Sequence, residues 1–209
     1  MLEIITLAIL ILSIVLHEVA HGYAANWLGD PTARLAGRLS ANPLLHLDPI
    51  GSVLVPGILY FTGAQFLFGW AKPVPYNPYN LNNQKWGEAI VAAAGPLTNL
   101  LLAIIFAGVI RLAPALSLSA AFVEMAGYIV FINVLLAIFN AIPFPPLDGS
   151  KIIEPFLPFG LALKYRAVKN YMESLGFIGL FLCVFIFIQI FMKPFSAAVL
   201  YVVHLLIGA

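Results

Sequence analysis

Apolar side chains run along this chain in blocks, and most polar residues fall between the blocks. Crossing the hydrocarbon core of a bilayer takes about 20 consecutive apolar residues. Runs of that kind lie near residues 4–28, 49–68, 88–112, 121–142 and 174–192, with a shorter one, 195–208, behind them. Lipid offers the backbone no hydrogen-bond partners, so each run must satisfy its own amides as a helix. The pattern predicts an all-α polytopic membrane protein built as a helical bundle. The connections, roughly 29–48, 69–87, 111–120 and 143–173, lack the length and apolar content for a domain of their own. Residues 1–209 are therefore expected to form one membrane-embedded domain.

Two stretches interrupt the pattern. The run at 49–68, "PIGSVLVPGILYFTGAQFLF", contains Pro56-Gly57 and Gly63, which can turn the chain back on itself. The following "GWAKPVPYNPYNLNNQKW" is too rich in Pro and Asn to be helical throughout. In a strand, Pro73 and Pro75 would point the same way and strip one edge of donors, while Lys72, Val74 and Tyr76 keep theirs on the other. Residues 71–76 thus read either as a short membrane-associated strand able to pair on one side or as an extended loop.

Composition agrees with the pattern: 62% of the 209 residues are hydrophobic and 9% are charged. A globular chain has about half and a quarter. The net charge of +1 and the lack of a basic run give no reason to expect a nucleic-acid partner. A single cysteine, Cys183, lies inside an apolar run, which excludes a disulfide framework and a cysteine metal site. The first run has no basic start and no small-residue cleavage site, so it reads as a retained span rather than a signal peptide.

That first run also carries the most expensive residues in the chain. Residues 17 to 21 read His-Glu-Val-Ala-His. On a helix, positions four apart share a face, so His17 and His21 can hold one metal ion, and Glu18, about 100° around, can reach a water on it. The competing reading is a pair of histidines hydrogen-bonded between helices. A catalytic zinc normally takes three protein ligands; candidates for the third are Asp148, His46, Asp48, Glu124 and His204. Asp148 has the most unusual context. "FNAIPFPPLDGSKII" leaves an apolar helix through Asn140 and three prolines before reaching Asp-Gly. Prolines stop the helix, and extended backbone at membrane depth is tolerated only where it lines a cavity. Asp148 then serves as a ligand or as the N-cap of a following short helix, and the ligand is the favoured role.

Together, "HEVAH", "AAAGPLTNL" at 93–101 and "FNAIPFPPLDG" at 139–149 resemble the site-2 proteases, the intramembrane zinc metalloproteases. The resemblance covers nearly the whole chain. It implies Zn2+ held by His17, His21 and Asp148, Glu18 as general base, and a transmembrane peptide as substrate. "FGWAKPVPYN" at 68–77 is similar to the family's extended segment near the active site. No inserted PDZ-like domain, no appended CBS-type domain and no span ahead of the His-Glu helix are expected. Such an enzyme must act on a segment that unwinds locally, and a one-sided strand at 71–76, with Val74 at its middle, suits strand addition. Asn99 and Asn140 are candidates to donate to an oxyanion or to orient a ligand, or simply to bond between helices. A membrane metal-ion transporter is the alternative function, weakened by the lack of a second His-Glu cluster.

Charge and site depth both bear on topology. His17, His21 and Asp148 share a depth only if the spans carrying them run parallel, so one of the two intervening runs must enter and leave on the same side. If that run is 49–68, Arg34, Arg38, Lys72, Lys85, Lys151, Lys164, Arg166 and Lys169 face one side, and Arg111 and Lys193 the other. This is the sharper positive-inside division. It predicts a multi-pass protein of the cell membrane with a re-entrant segment and an active site toward the cytoplasm.

Overall fold

The computed structural model describes residues 2–62 and 71–208. Its helices are α1 (Leu2–Trp27), α2 (Thr32–Leu35), α3 (Val55–Phe61), α4 (Gly87–Leu112), α5 (Ala120–Asn140), α6 (Asp148–Ile153), α7 (Phe159–Ser174) and α8 (Phe177–Ile207). Among the described residues, α1, α4, α5 and the Gln189–Ile207 part of α8 are long and apolar enough to cross a membrane. The helical bundle expected from the apolar blocks is present.

Two expected runs come out differently. Residues 174–192 and 195–208 do not separate: α8 continues through Pro194. The missing N–H of a proline removes one helix bond, which a membrane helix tolerates where neighbours satisfy the freed carbonyl. In the 49–68 run, Pro49–Leu54 forms a π-helical turn that leads into the seven-residue α3. Asp48 starts that turn by accepting the N–H groups of Ile50 and Gly51. The remainder, 63–68, lies outside the described residues, as do 69–70 of the extended segment.

α4 is the hub and packs on α1, α5, α6 and α8. Its buried positions Val91, Gly95, Asn99, Ala103 and Ala107 recur every four residues and so form one stripe. Small side chains let helix backbones approach closely in lipid, where dispersion and hydrogen bonds, not the hydrophobic effect, hold helices together. Ala103 and Ala107 meet Val130 and Val134 of α5 and Val199 and Val203 of α8 in a dry cluster. Arg111, near the end of α4, donates to the carbonyls of Leu205 and Leu206, which lie in the last turn of α8 where helix carbonyls lack partners.

Residues 29–62 lead away from α1, and residues 71–86 lead into α4 at the same end of the bundle. The Asn82 N–H donates to the Leu28 carbonyl at 2.8 Å, and Leu81 packs with Ala25 and Val91. Asp30, fully buried, ties the two ends together. Its carboxylate accepts the Asn77 N–H at 2.6 Å, the Asn80 side-chain amide at 2.8 Å, and the hydroxyl and N–H of Thr32. Within this loop no strand forms among the described residues. The Lys72 N–H goes to the His46 carbonyl at 2.8 Å and the Val74 N–H to Glu18; with prolines at 73 and 75, the segment has too few donors for a ladder on its other edge.

Burial pushes the Asp30 carboxyl up, but the donors of Thr32, Asn80 and Asn77 outweigh it and hold the group below the usual carboxylate range. A depressed folded-state value means stabilisation that is complete above the unfolded value, about 3.9, and is lost as pH falls through the folded value. Asp30→Ala is expected to destabilise the protein by about 2–4 kcal/mol, since several hydrogen bonds to one buried charge are lost together. Thermal unfolding in detergent, with proteolysis between residues 71 and 86 as a local readout, checks this.

Candidate metal centre

α1 and α4 run antiparallel, which sets Ser13, His17 and His21 against Asn99, Gly95 and Val91. The Nδ1 of His17 donates to Asn99 Oδ1 at 2.5 Å, and the Nδ1 of His21 donates to the Val91 carbonyl at 2.7 Å. Both acceptors are oxygens without a proton, so each imidazole carries its hydrogen on Nδ1 and turns a bare Nε2 inward. The two Nε2 atoms stand 3.0 Å apart.

Asp148 joins them from α6. Its Oδ2 lies 3.1 Å from His17 Nε2 and 3.3 Å from His21 Nε2. Prolines at 143, 145 and 146 keep α5 from continuing past Asn140. Gly149 lets the turn sit against the end of that helix, because a Cβ there would run into the carbonyls of Ala141 and Ile142. The turn is fastened from outside: the Tyr165 hydroxyl of α7 donates to the Pro143 carbonyl, and Glu154 accepts from Arg166 and Lys169. Asp148 begins α6 without capping it, so its carboxylate is free to face the imidazoles.

Three lone-pair atoms of His17, His21 and Asp148 therefore converge, all within 4.8 Å of one another. One proton could bridge a single pair of them; a cation at their centre satisfies all three. Ligand atoms around a tetrahedral ion at about 2.0–2.1 Å stand roughly 3.3–3.4 Å apart, close to the spacings here. Gly95 supplies the room, since a Cβ on it would lie 2.5 Å from both Nε2 atoms.

A cavity of about 210 Å3 opens onto this cluster. His17, Glu18 and His21 form one wall, Pro73, Val74 and Tyr76 a second, and Asn140, Asp148 and Lys151 a third. Glu18 Oε2 accepts the Val74 N–H at 3.0 Å. The Lys151 ammonium lies 5.1 Å from the centre of the Tyr76 ring, and Tyr76 donates toward Glu88 at 3.4 Å. Burial works against the charge on Lys151, but Tyr76, Asp148 and Glu88 keep its pKa above the ordinary value.

The structure brings together His17, Glu18, His21, Val74, Asn140 and Asp148 from the sequence reading. Asn140 lines the cavity while its amide donates to the Leu136 carbonyl at 3.0 Å. Asn99 is buried behind His17; its amide nitrogen donates to Asn133 Oδ1 at 2.8 Å, and Asn133 in turn donates to Ser13 Oγ at 2.9 Å. The remaining candidate ligands stay apart. His46 donates to the Ser40 carbonyl, Asp48 caps a turn, and Glu124 and His204 are exposed on α5 and α8. Sequence reasoning misses Ser13, Asn133, Lys151 and the Val91 carbonyl. Ser13 lies four residues before His17, and that spacing is the available signal.

Comparison with known proteins shows which sequences the chain resembles. The model of Peptidase family M50 matches residues 5–119 and 106–186. The chain is 37% identical over 198 residues to "Putative zinc metalloprotease YwhC" of Bacillus subtilis (strain 168), covering 92% of this chain and 82% of that one. Two mycobacterial proteins with the same description, named Rip2, also match. The one from Mycolicibacterium smegmatis is 31% identical over 156 residues, and the one from Mycobacterium tuberculosis 27% over 147. These alignments take in 74% and 70% of this chain but only 58% and 55% of the Rip2 proteins. No solved structure gives a significant match. With the family model matched across most of its length, the chain belongs to Peptidase family M50, the site-2 proteases.

Proposed function

We propose that this protein is a zinc-dependent endopeptidase that cuts membrane-anchored chains within or near a transmembrane segment. The convergence of His17 Nε2, His21 Nε2 and Asp148 Oδ2 carries the reading, because no neutral arrangement of the same groups satisfies all three. These residues would hold the ion. Bound zinc supplies Lewis acidity, which brings the pKa of water from 15.7 to about 7. Glu18, one residue from His17 and facing the same cavity, takes the proton of the attacking water and returns it to the leaving amine. Asn99 holds the His17 ring in one orientation through Nδ1.

The substrate must expose a peptide bond that is hidden while its helix is intact. Pro73, Val74 and Tyr76 line the cavity. The N–H groups of Lys72 and Val74 are occupied inside the protein and Arg38 reaches the carbonyls of Lys72 and Pro73, which leaves the Pro75 carbonyl on the proline side to accept a donor from an unwound chain. Substrates with Gly, Pro or Asn near the cut fit this requirement, and Val74 lies against the reacting bond. The cavity opens at the end of the bundle shared by residues 29–62, 71–86 and 141–176. Eight of the ten Lys and Arg residues fall on that side when 49–68 re-enters, which favours a cytoplasmic active site in the cell membrane. The bond between Leu28 and Asn82 supports re-entry, since the chain between them begins and ends together.

Glu18→Gln is expected to lower cleavage of a model transmembrane substrate by at least about 10²–10⁴-fold while zinc content stays at the wild-type level. Gly95→Ala is expected to abolish zinc binding by filling the ion's place, and Asn99→Ala to weaken it about 10–100-fold. Metal analysis of the purified variants checks both. Cysteines placed at the exposed positions Leu44 and Tyr79 are expected to react with an impermeant label from the same face of the membrane; labelling from opposite faces would contradict the re-entrant topology.

A further inference from the structure

Arg38 is buried, 8% exposed, yet among the described residues no carboxylate pairs with it. A guanidinium removed from water without a counter-charge is costly and calls for a reason. Its partners are backbone. Nη2 donates to the Lys72 carbonyl at 2.8 Å and toward the Pro73 carbonyl at 3.5 Å, while Nε finds no partner among the described residues. From the same loop, the His46 carbonyl accepts the Lys72 N–H at 2.8 Å, and the buried His46 ring is itself anchored by donating to the Ser40 carbonyl. Residues 72 and 73 are thus gripped at both donor and acceptor groups by the 38–46 loop.

The next residue touches the site. Val74 is buried, and its N–H donates to Glu18 Oε2 at 3.0 Å. α1 comes this close because residue 22 is glycine: a Cβ there would lie 2.8 Å from Val74 Cγ1 and 2.6 Å from Leu39 Cδ2. Leu39 is the neighbour of Arg38, so the loop, the extended segment and the Glu18 turn of α1 meet in one packed contact.

We propose that Arg38 is a positioning residue for Glu18: by fixing the carbonyls of residues 72 and 73 it presents the Val74 N–H to one carboxylate oxygen and leaves Oε1 for proton transfer. The inference rests on Glu18 as the base. A carboxylate without this bracket rotates about its side-chain bonds, and a displacement near 1 Å at a reacting group costs up to about a hundredfold in rate.

The test uses the full-length zinc-loaded protein, a membrane-anchored model substrate and 15N-valine labelling, with the Val74 amide identified by its loss in Val74→Ile. Arg38→Ala is expected to lower kcat about 10- to 100-fold with KM within about threefold and zinc content unchanged. The Val74 amide proton should move upfield, in the direction that Glu18→Gln moves it, as a charge-assisted bond is lost. Arg38→Lys, which keeps the charge on a shorter reach, should lie between wild type and Arg38→Ala in both readouts, and it carries the test if the alanine variant does not fold. An unchanged kcat, an unmoved Val74 resonance, or a rate loss matched by zinc loss overturns the proposal. Activity retained in Glu18→Gln would instead sink the reading of Glu18, while the coupling of Arg38 to Val74 would still be read from the resonance.

Discussion

Two imidazole nitrogens and a carboxylate oxygen that all carry lone pairs are held facing each other inside an apolar bundle, and the rest of the protein keeps them from turning away. Left free, each ring would rotate to find a donor. Here Nδ1 of each is already engaged, on Asn99 for His17 and on the Val91 carbonyl for His21. Both acceptors belong to α4, so the chemistry depends on how closely α4 lies against α1. That distance is set by the four-residue stripe of α4, in which Gly95 sits directly over the two rings. The residue that permits the packing also leaves the space that the proposed ion would need, so helix association and site formation would be one requirement.

The third group arrives by a different route. α5 runs parallel to α1, and its three closing prolines convert its end into a turn rather than another helical span. α7 clamps that turn through Tyr165, Arg166 and Lys169. A carboxylate on a free loop would lose conformational entropy each time it met the imidazoles; a clamped turn has lost that freedom during folding. The 29–86 loop does the same for the opposite wall of the cavity, with Asp30 and Arg38 as its fasteners. Arg38 holds backbone carbonyls, and Asp30 accepts two backbone N–H groups beside two side-chain donors, so both fix main-chain position.

The features legible in the sequence are those whose cost in lipid is high and local. His17, Glu18 and His21 announce themselves because ionisable groups in an apolar run demand a purpose, and four-residue spacing defines a face. Asp148 stands out through the prolines that precede it. What stays hidden depends on which helix faces which. Asn99 reads as either an oxyanion donor or a ligand partner, and only the register of α1 against α4 puts it behind His17, with its amide nitrogen committed to Asn133. Arg38 looks in sequence like an ordinary loop cation; its burial follows from the return of residues 71–74, which no local pattern predicts. The separation of the 174–192 and 195–208 runs does not occur, because α8 continues through the exposed Pro194.

The network behind the site shows why its polarity cannot be incidental. Ser13, Asn99 and Asn133 are all buried, and a purely structural bundle could have used Ala or Leu at those positions with no amide to satisfy. Polar bonds between membrane helices add only about 0.6 kcal/mol each on average, too little to favour three buried polar side chains over close apolar packing. Yet the chain of bonds has a direction. Asn133 donates to the Ile129 carbonyl, which can only accept, as well as to Ser13; that turns its Oδ1 to the Asn99 amide nitrogen, and Asn99 is left to offer His17 its oxygen. Reversing any one amide would offer His17 an N–H and send the imidazole hydrogen to the other nitrogen. The network is therefore best understood as setting a tautomer: its small net stability is the cost at which a bare Nε2 is kept pointing at Asp148.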